Sequence, residues 1–223
     1  KNRRKKMTLH FLLGYLVSDH TFVNNYKLDK MKKNRMLLHF VWVFIFYLFF
    51  TFDVVFKSGL GIFLFVLAIG FNIAIDLLRK RYKNPILEIS ALAFYIVLSL
   101  VSTSMFLTSF ISPEFSWYLI GMILATVGVT YFIRRFKIID PVKSDSVGIS
   151  ERLALFIFVF AQKIEFVIIT VVVALLYRLI FSSIFSGKGK KEWVADNKKE
   201  WAISPVAGLI VSYMWFFIMR MIF

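Results

Sequence analysis

The chain contains no cysteine among its 223 residues. This absence excludes disulfide bonds, thiolate nucleophiles and cysteine-ligated metals. Acidic residues are few, because 13 Asp and Glu stand against 28 Lys and Arg, which gives a formal charge of +15. In a soluble protein this excess would indicate nucleic-acid binding. Here the basic residues cluster in short segments between apolar runs, as in the cytoplasmic loops of membrane proteins, so we expect no nucleic-acid partner.

Motifs for several common chemistries are also missing from the sequence. The chain has neither a Ser-x-x-Lys nor a Gly-x-Ser-x-Gly nucleophile motif. Its lysine- and glycine-containing stretch at residues 188–191 is too short for a phosphate-binding loop. The sequence therefore assigns no cofactor, and whether the protein is an enzyme stays open.

Apolar residues dominate what is present. They make up 59% of the chain, 27 of them are Phe, and the mean hydropathy is +0.74. Soluble domains are about 45–50% apolar. We therefore predict an all-α, polytopic transmembrane helix bundle that forms a single membrane-embedded domain over residues 1–223, with membrane lipids as its surroundings.

Apolar stretches of suitable length predict about five to seven membrane helices. The predicted full spans are residues 37–56, 59–78, 86–111, 117–133 and 205–223. The basic segments expected on the cytoplasmic side are residues 27–36, 79–84, 134–150 and 186–200.

Two stretches leave alternatives open. Residues 8–26 contain an apolar run about half as long as a span requires, so we expect an interfacial helix, with a full span as the alternative. Residues 151–185 are too long for one ordinary span and are interrupted by Gln162, Lys163 and Glu165. Basic residues at both ends favour a helical hairpin, and a single long tilted helix is the alternative.

A polar stripe runs along the apolar segment 71–81. Asn72, Asp76 and then Arg79 or Lys80 recur at helical spacing and share one helix face. A carboxylate this close to the hydrocarbon costs a few kcal/mol unless it has a partner or water. Asp76 is therefore a candidate functional residue, although a simple ion pair with Arg79 on the same helix would also explain it.

Several fragments resemble the DUF3307 family of bacterial multi-pass membrane proteins, a domain of unknown function. The matching fragments are LLGYLVSDHTF at 12–22, Leu-Leu-His at 37–39, the Ile-Asp-x-x-Arg element within 74–79, and VGISER at 147–152. The resemblance implies a bacterial cytoplasmic-membrane location. It also implies a site position that includes Asp19, His39, Asp76 and the Glu151–Arg152 pair, but it brings no established activity.

The predicted topology brings six polar residues to the cytoplasmic edge of the bilayer. Their expected roles are catalytic for Asp19, His39 and Asp76, and substrate-binding for Arg79, Glu151 and Arg152. Arginine can hold a phosphorylated headgroup through two hydrogen bonds, and a carboxylate can tune a histidine as a general base. We therefore expect a site that binds or processes an anionic lipid or a lipid-linked substrate.

Other functions are compatible with the same sequence. A small transporter or channel would need charges near mid-membrane, where only residues 162–165 qualify. A non-catalytic subunit would dock a cytoplasmic protein partner through the basic loops, and an oligomer is possible in each case. Asp19, His39, Asp76 and Glu151 offer ligands for a divalent ion, but no local ligand motif supports a metal, so none is assigned.

The topology can be tested with single cysteines, because the chain has none of its own. In intact cells a membrane-impermeant thiol reagent should label cysteines at 57–59 and 112–116, which are predicted to be external. A cysteine at 188–191 should stay unlabelled until the cells are opened. Labelling there in intact cells would contradict the hairpin and favour a single long span at 151–185.

Overall fold

The computed structural model describes residues 7–21, 33–82, 85–138, 145–185 and 190–223. Within these ranges every regular element is a helix. Four of the described helices are long and apolar enough to cross a membrane, namely Asn34–Val55, Gly59–Arg81, Pro113–Arg135 and Trp201–Ile222. This confirms the all-α class and supports membrane association. The structure describes few of the side chains in the predicted basic segments 27–36 and 186–200. Parts of the segments 79–84 and 134–150 also lie outside the described residues.

The described helices follow one another along the chain, with two short π-helical turns among them. They are α1 His10–Leu16 with the π turn Val17–Thr21, α2 Lys33–Val55, α3 Gly59–Arg81, α4 Pro85–Val101, α5 Thr103–Phe106, α6 Pro113–Ile123 with the π turn Leu124–Gly128, α7 Val129–Arg135, α8 Ser146–Phe160, α9 Ile164–Phe185 and α10 Lys190–Ile222.

The chain divides into two compact units. The first unit ends at Ile120 and takes in Ile222–Phe223, whereas the second unit runs from Gly121 to Met221. Helices α1 to α5 belong to the first unit, and α7 to α9 belong to the second.

Helix α1 lies inside the first unit rather than along a membrane interface. All seven of its residues are buried, and it packs against both α2 and α4. At its start the His10 ring stacks on Phe106 with centroids 4.5 Å apart, and His10 Nε2 lies 2.7 Å from the Ile111 carbonyl oxygen. A helix that lies in the membrane interface would expose one face. The described part of the predicted interfacial helix 8–26, residues 8–21, therefore differs from that prediction.

The predicted span 86–111 is interrupted after Val101, where α4 ends. The Ser102 hydroxyl donates to the Leu98 carbonyl at 2.8 Å, and the Thr103 hydroxyl donates to the Ser99 carbonyl at 3.0 Å. Hydroxyls that bond to nearby carbonyls compete with the helix ladder and often bend it. Helix α5 follows as a separate short turn.

Residues 151–185 form a helical hairpin, which was the favoured alternative. Helix α8 ends at Phe160, α9 begins at Ile164, and Phe158 and Phe166 stack across the turn with centroids 5.2 Å apart. Gln162 in the turn has a φ of 55°. A continuous helix cannot contain that left-handed backbone.

Helix α10 starts earlier than the predicted span 205–223. It begins at Lys190 and continues through Pro205. Proline removes only one backbone donor from a helix, so a long helix can contain it at a cost of about 3 kcal/mol. Within this helix the Ser204 hydroxyl accepts a hydrogen bond from Arg152 at 2.5 Å.

The hairpin turn generates a stability prediction at Gln162. Gln162→Gly should leave the melting temperature unchanged or raise it, because glycine adopts a positive φ without the cost of about 1–2 kcal/mol that other residues incur. Gln162→Val should lower the free energy of unfolding by about 1 kcal/mol or more, since a β-branched residue resists that backbone.

Thermal unfolding of both variants in one detergent provides the comparison. In a continuous helix the order would reverse, because glycine in a helix interior costs about 1 kcal/mol and valine costs less. A less stable glycine variant would therefore contradict the hairpin.

Candidate functional site

Arg79, near the end of α3, is the centre of a buried polar cluster in the first unit. Its guanidinium donates to the carboxylate of Asp19 and to Asp76 Oδ1 at 2.8 Å. It also donates to the Tyr15 hydroxyl at 2.7 Å and to Glu88 Oε2 at 2.6 Å. These acceptors come from α1 and its π turn, from α3 and from α4. One guanidinium therefore cross-links three helical segments, and we call these five side chains together with His39 the Arg79 centre.

Local helix geometry explains why α3 contributes two members of this centre. Asn72, Asp76 and Arg79 are all buried, whereas Lys80 and Arg81 are exposed. The buried residues recur at helical spacing, so they lie on one face. This is the polar stripe expected from the sequence, and it faces the interior of the first unit.

Asp19 reaches the centre from an unusual backbone segment. It lies in the π-helical turn Val17–Thr21, which extends α1. Such turns are rare and occur frequently at functional sites. The Asp19 side chain is fully buried, and its Oδ1 atom has no hydrogen-bond partner in the described part of the chain.

His39 on α2 completes the inner part of the Arg79 centre. Its Nε2 atom lies 3.0 Å from Asp76 Oδ2 and 3.9 Å from Asp19 Oδ1. His39 is 4% exposed and Asp76 is 0% exposed. Asp76 therefore accepts hydrogen bonds from both Arg79 and His39, through different oxygens.

The outer side of the centre is more open. The side chains of Glu88 and His20 are 24% and 22% exposed, and His20 Nε2 lies 3.9 Å from Glu88 Oε2 and 3.3 Å from the Tyr15 hydroxyl. On the inner side Tyr15 stacks on Tyr95 with centroids 4.5 Å apart. Tyrosine rings thus close one side of the centre, while Glu88 and His20 are its partly exposed edge.

The second unit contains another buried arginine, Arg152 on α8. Its side chain is fully buried and donates to Asp145 Oδ2 at 2.6 Å, to the Thr130 hydroxyl at 2.5 Å and to the Ser204 hydroxyl at 2.5 Å. Helix α10 approaches closely here, because a side chain at Gly208 would place its Cβ 2.6 Å from Arg152 Cγ. Arg152 therefore links α7, α8 and α10 within this unit.

Glu151 has a different partner from its neighbour Arg152. Its Oε2 atom accepts a hydrogen bond from Arg178 on α9 at 2.5 Å, and both side chains are buried. This pair joins the open ends of the α8–α9 hairpin. Glu151 also lines a cleft between these helices whose wall is mostly apolar, with Ala154, Val173 and Tyr177 among its lining residues.

Four of the six residues predicted for one site are in contact. Asp19, His39, Asp76 and Arg79 meet in the Arg79 centre. Glu151 and Arg152 belong to the second unit, and each is engaged in an ion pair of that unit. The expectation that all six form one interfacial set therefore has no support from the described contacts.

The predicted role of the two arginines in holding a headgroup also needs revision. Both terminal nitrogens of Arg79 donate to protein carboxylates or to a tyrosine hydroxyl. Those of Arg152 are engaged in the same manner. A guanidinium with its terminal donors occupied has no free fork for a phosphate.

Sequence reasoning missed several partners of these arginines. Tyr15 and Glu88 in the first unit, and Thr130 and Asp145 in the second, were not among the candidates. A signal was present for Glu88, an isolated acid in the first turn of an apolar helix. A charge in such a position needs a partner.

Comparison with known proteins adds no assignment. No family model matches the chain. No curated protein and no solved structure matches it either. The fold and contacts thus define a class, a membrane-associated helical protein with a buried arginine centre in each unit. The resemblance to the DUF3307 family stays a prediction.

The Arg152 cluster generates a prediction about folding. Arg152→Gln should lower the free energy of unfolding by about 3 kcal/mol or more, because it leaves the buried Asp145 carboxylate without its cation. Arg135→Gln is the matched control, since Arg135 is exposed on α7. Melting temperature and monodisperse yield in detergent should fall for the first variant only. Equal stability of the two variants would contradict a structural role for Arg152.

Proposed function

We propose that this protein is a multi-pass protein of the bacterial cytoplasmic membrane that binds or processes a lipid or lipid-linked substrate at its Arg79 centre. The observation that carries the proposal is the buried 3.0 Å contact between His39 Nε2 and Asp76 Oδ2. Ionisable residues within membrane helices are costly and are functional by default. This centre collects three carboxylates, a guanidinium, a tyrosine hydroxyl and one imidazole in one unit.

A histidine held by a carboxylate can move protons. When Asp76 accepts from Nε2–H, the basic nitrogen is Nδ1, which has no hydrogen-bond partner among the described groups. Arg79 donates to the other oxygen of Asp76, which fixes the orientation of this carboxylate. His39 is thereby oriented to take a proton from water or from a substrate hydroxyl.

The anionic character of the proposed substrate rests on residues beside the centre. Lys80 and Arg81 in the last turn of α3 are exposed, whereas Arg79 is buried by its protein partners. Cations next to a membrane surface attract anionic headgroups by about 1 kcal/mol each. We therefore assign headgroup attraction to Lys80 and Arg81, and the chemical step to the buried side chains.

The alternatives have weaker support from the contacts. Gln162, Lys163 and Glu165, which a transport pathway would need near mid-membrane, are exposed around the α8–α9 turn. Charges at the tip of a hairpin are solvated and need no pathway. The docking surface of a non-catalytic subunit would lie on basic segments whose side chains are largely outside those that the structure describes.

Asp76→Asn separates function from folding. The amide keeps the shape of the side chain, and Arg79 keeps the carboxylates of Asp19 and Glu88 as partners, so monodisperse yield and melting temperature should change little. Lipid retention or conversion should be lost, because the amide cannot hold His39 as a base. The measurement combines native mass spectrometry of bound lipid with chromatography of a total bacterial lipid extract after incubation.

Asp53→Asn is the matched control. Asp53 is another carboxylate near the end of a long helix, but it accepts from Ser109 and from the Phe110 backbone, outside the Arg79 centre. It should retain the lipid behaviour of the wild-type protein. A stable Asp76→Asn variant with unchanged lipid binding and conversion would reduce Asp76 to a structural ion pair and overturn the proposal.

A further inference from the structure

We propose that Asp19, His39 and Asp76 bind a divalent transition-metal ion. One ligand atom from each of these side chains lies within 4.8 Å of the other two. The side chains come from different helical segments, the π turn after α1, α2 and α3. This inference goes beyond the lipid proposal, because metal binding depends on these atoms whatever the substrate is.

The separations fit a first coordination shell. Ligand atoms about 2.1 Å from a tetrahedral ion lie about 3.4 Å from one another. His39 Nε2 is 3.0 Å from Asp76 Oδ2 and 3.9 Å from Asp19 Oδ1, so the observed values lie on either side of that distance. One oxygen of each carboxylate also lies within 4.8 Å of the other, so the three groups surround one small volume.

Asp19 Oδ1 supplies an independent indication of a ligand. It is buried and has no hydrogen-bond partner among the described groups, although its side chain is 0% exposed. A buried carboxylate oxygen without a partner costs free energy. A cation between Asp19, His39 and Asp76 would satisfy it.

Arg79 orients the two carboxylates for this task. Its Nη1 atom donates to Asp19 Oδ2 and to Asp76 Oδ1, which leaves Asp19 Oδ1 and Asp76 Oδ2 on the side of His39. Outer groups that fix metal ligands in this manner are typical of protein metal sites. With the ion on Nε2, the histidine proton is on Nδ1, so His39 acts as a ligand and not as the general base while the ion is bound.

The net charge of the Arg79 centre favours the binding of a cation. Asp19, Asp76 and Glu88 bring three negative charges when ionised, and Arg79 brings one positive charge. With neutral imidazoles the sum is −2, which is costly for groups this buried. A divalent ion brings the sum to zero.

The donor set selects the kind of ion. Two carboxylate oxygens and one imidazole nitrogen suit Zn²⁺, Mn²⁺ or Fe²⁺, whereas Mg²⁺ and Ca²⁺ favour oxygen alone. Three protein ligands leave at least one position for water or a substrate oxygen, as in catalytic metal sites. The side chains nearest to solvent at this centre are Glu88 and His20, which are 24% and 22% exposed.

The test uses the full chain in detergent, treated with a chelator and then titrated with Mn²⁺ under electron paramagnetic resonance. The wild-type protein should bind about one ion, and pulsed spectra should show nitrogen coupling from an imidazole. Asp19→Asn should weaken Mn²⁺ binding about tenfold or more. His39→Gln should abolish the nitrogen coupling, and Asp53→Asn, the carboxylate control outside the centre, should behave as wild type.

Each outcome decides for or against the site. If Asp19→Asn does not elute as a folded species, His39→Gln carries the test, because its loss of nitrogen coupling requires that imidazole as ligand. A folded wild-type protein that binds neither Mn²⁺ nor Zn²⁺ overturns the inference, as does undiminished binding by both variants. Lipid activity lost in Asp76→Asn but unaffected by chelation would support the proposed function while rejecting the metal.

Discussion

The first unit depends on the ion pairs of one buried guanidinium. Arg79 is 8% exposed, and it binds the carboxylates of Asp19, Asp76 and Glu88. Moving a charge out of water is costly, and removing one partner of a buried pair costs about 3–5 kcal/mol because the other charge stays uncompensated. These contacts therefore hold α1, α3 and α4 in one arrangement, and they set the positions of the two carboxylates beside His39.

Buried arginine is used in both units, with a similar backbone feature beside it. Asp19 lies in the π turn Val17–Thr21, and the Thr126 carbonyl in the π turn Leu124–Gly128 accepts from Arg152 at 3.3 Å. A π turn redirects a polar group without ending the helix. The surroundings of the two arginines differ in charge. Arg152 contacts one carboxylate and two hydroxyls, a set suited to holding the structure together. The Arg79 centre has more carboxylates than cations, a set suited to binding cations or moving protons.

The sequence predicted the all-α membrane class and the helical stretches within 37–56 and 59–78, because these follow from the length of the apolar runs. It also predicted that Asp19, His39 and Asp76 meet, because this follows from loop charge and helical spacing. It did not predict the burial of α1, since a run too short for a span is read as interfacial unless its packing partners are known. It also did not predict that α10 passes through Pro205. A proline at a capping position signals a helix start locally, and only tertiary contacts, such as that of Arg152 with α10, override that signal.

Asp19 and Arg79 are expected to be energetically coupled across the first unit. A double-mutant cycle on the free energy of unfolding in detergent tests this coupling, with Asp19→Asn, Arg79→Gln and the double variant. Buried charge pairs in direct contact show coupling of about 0.5–3 kcal/mol, and sites without contact are additive within about 0.5 kcal/mol. We predict that the double variant loses less stability than the sum of the single losses, by about 1.5 kcal/mol or more. Additive losses would show that α1 and α3 are not joined through this pair, and would contradict the predicted coupling between Asp19 and Arg79.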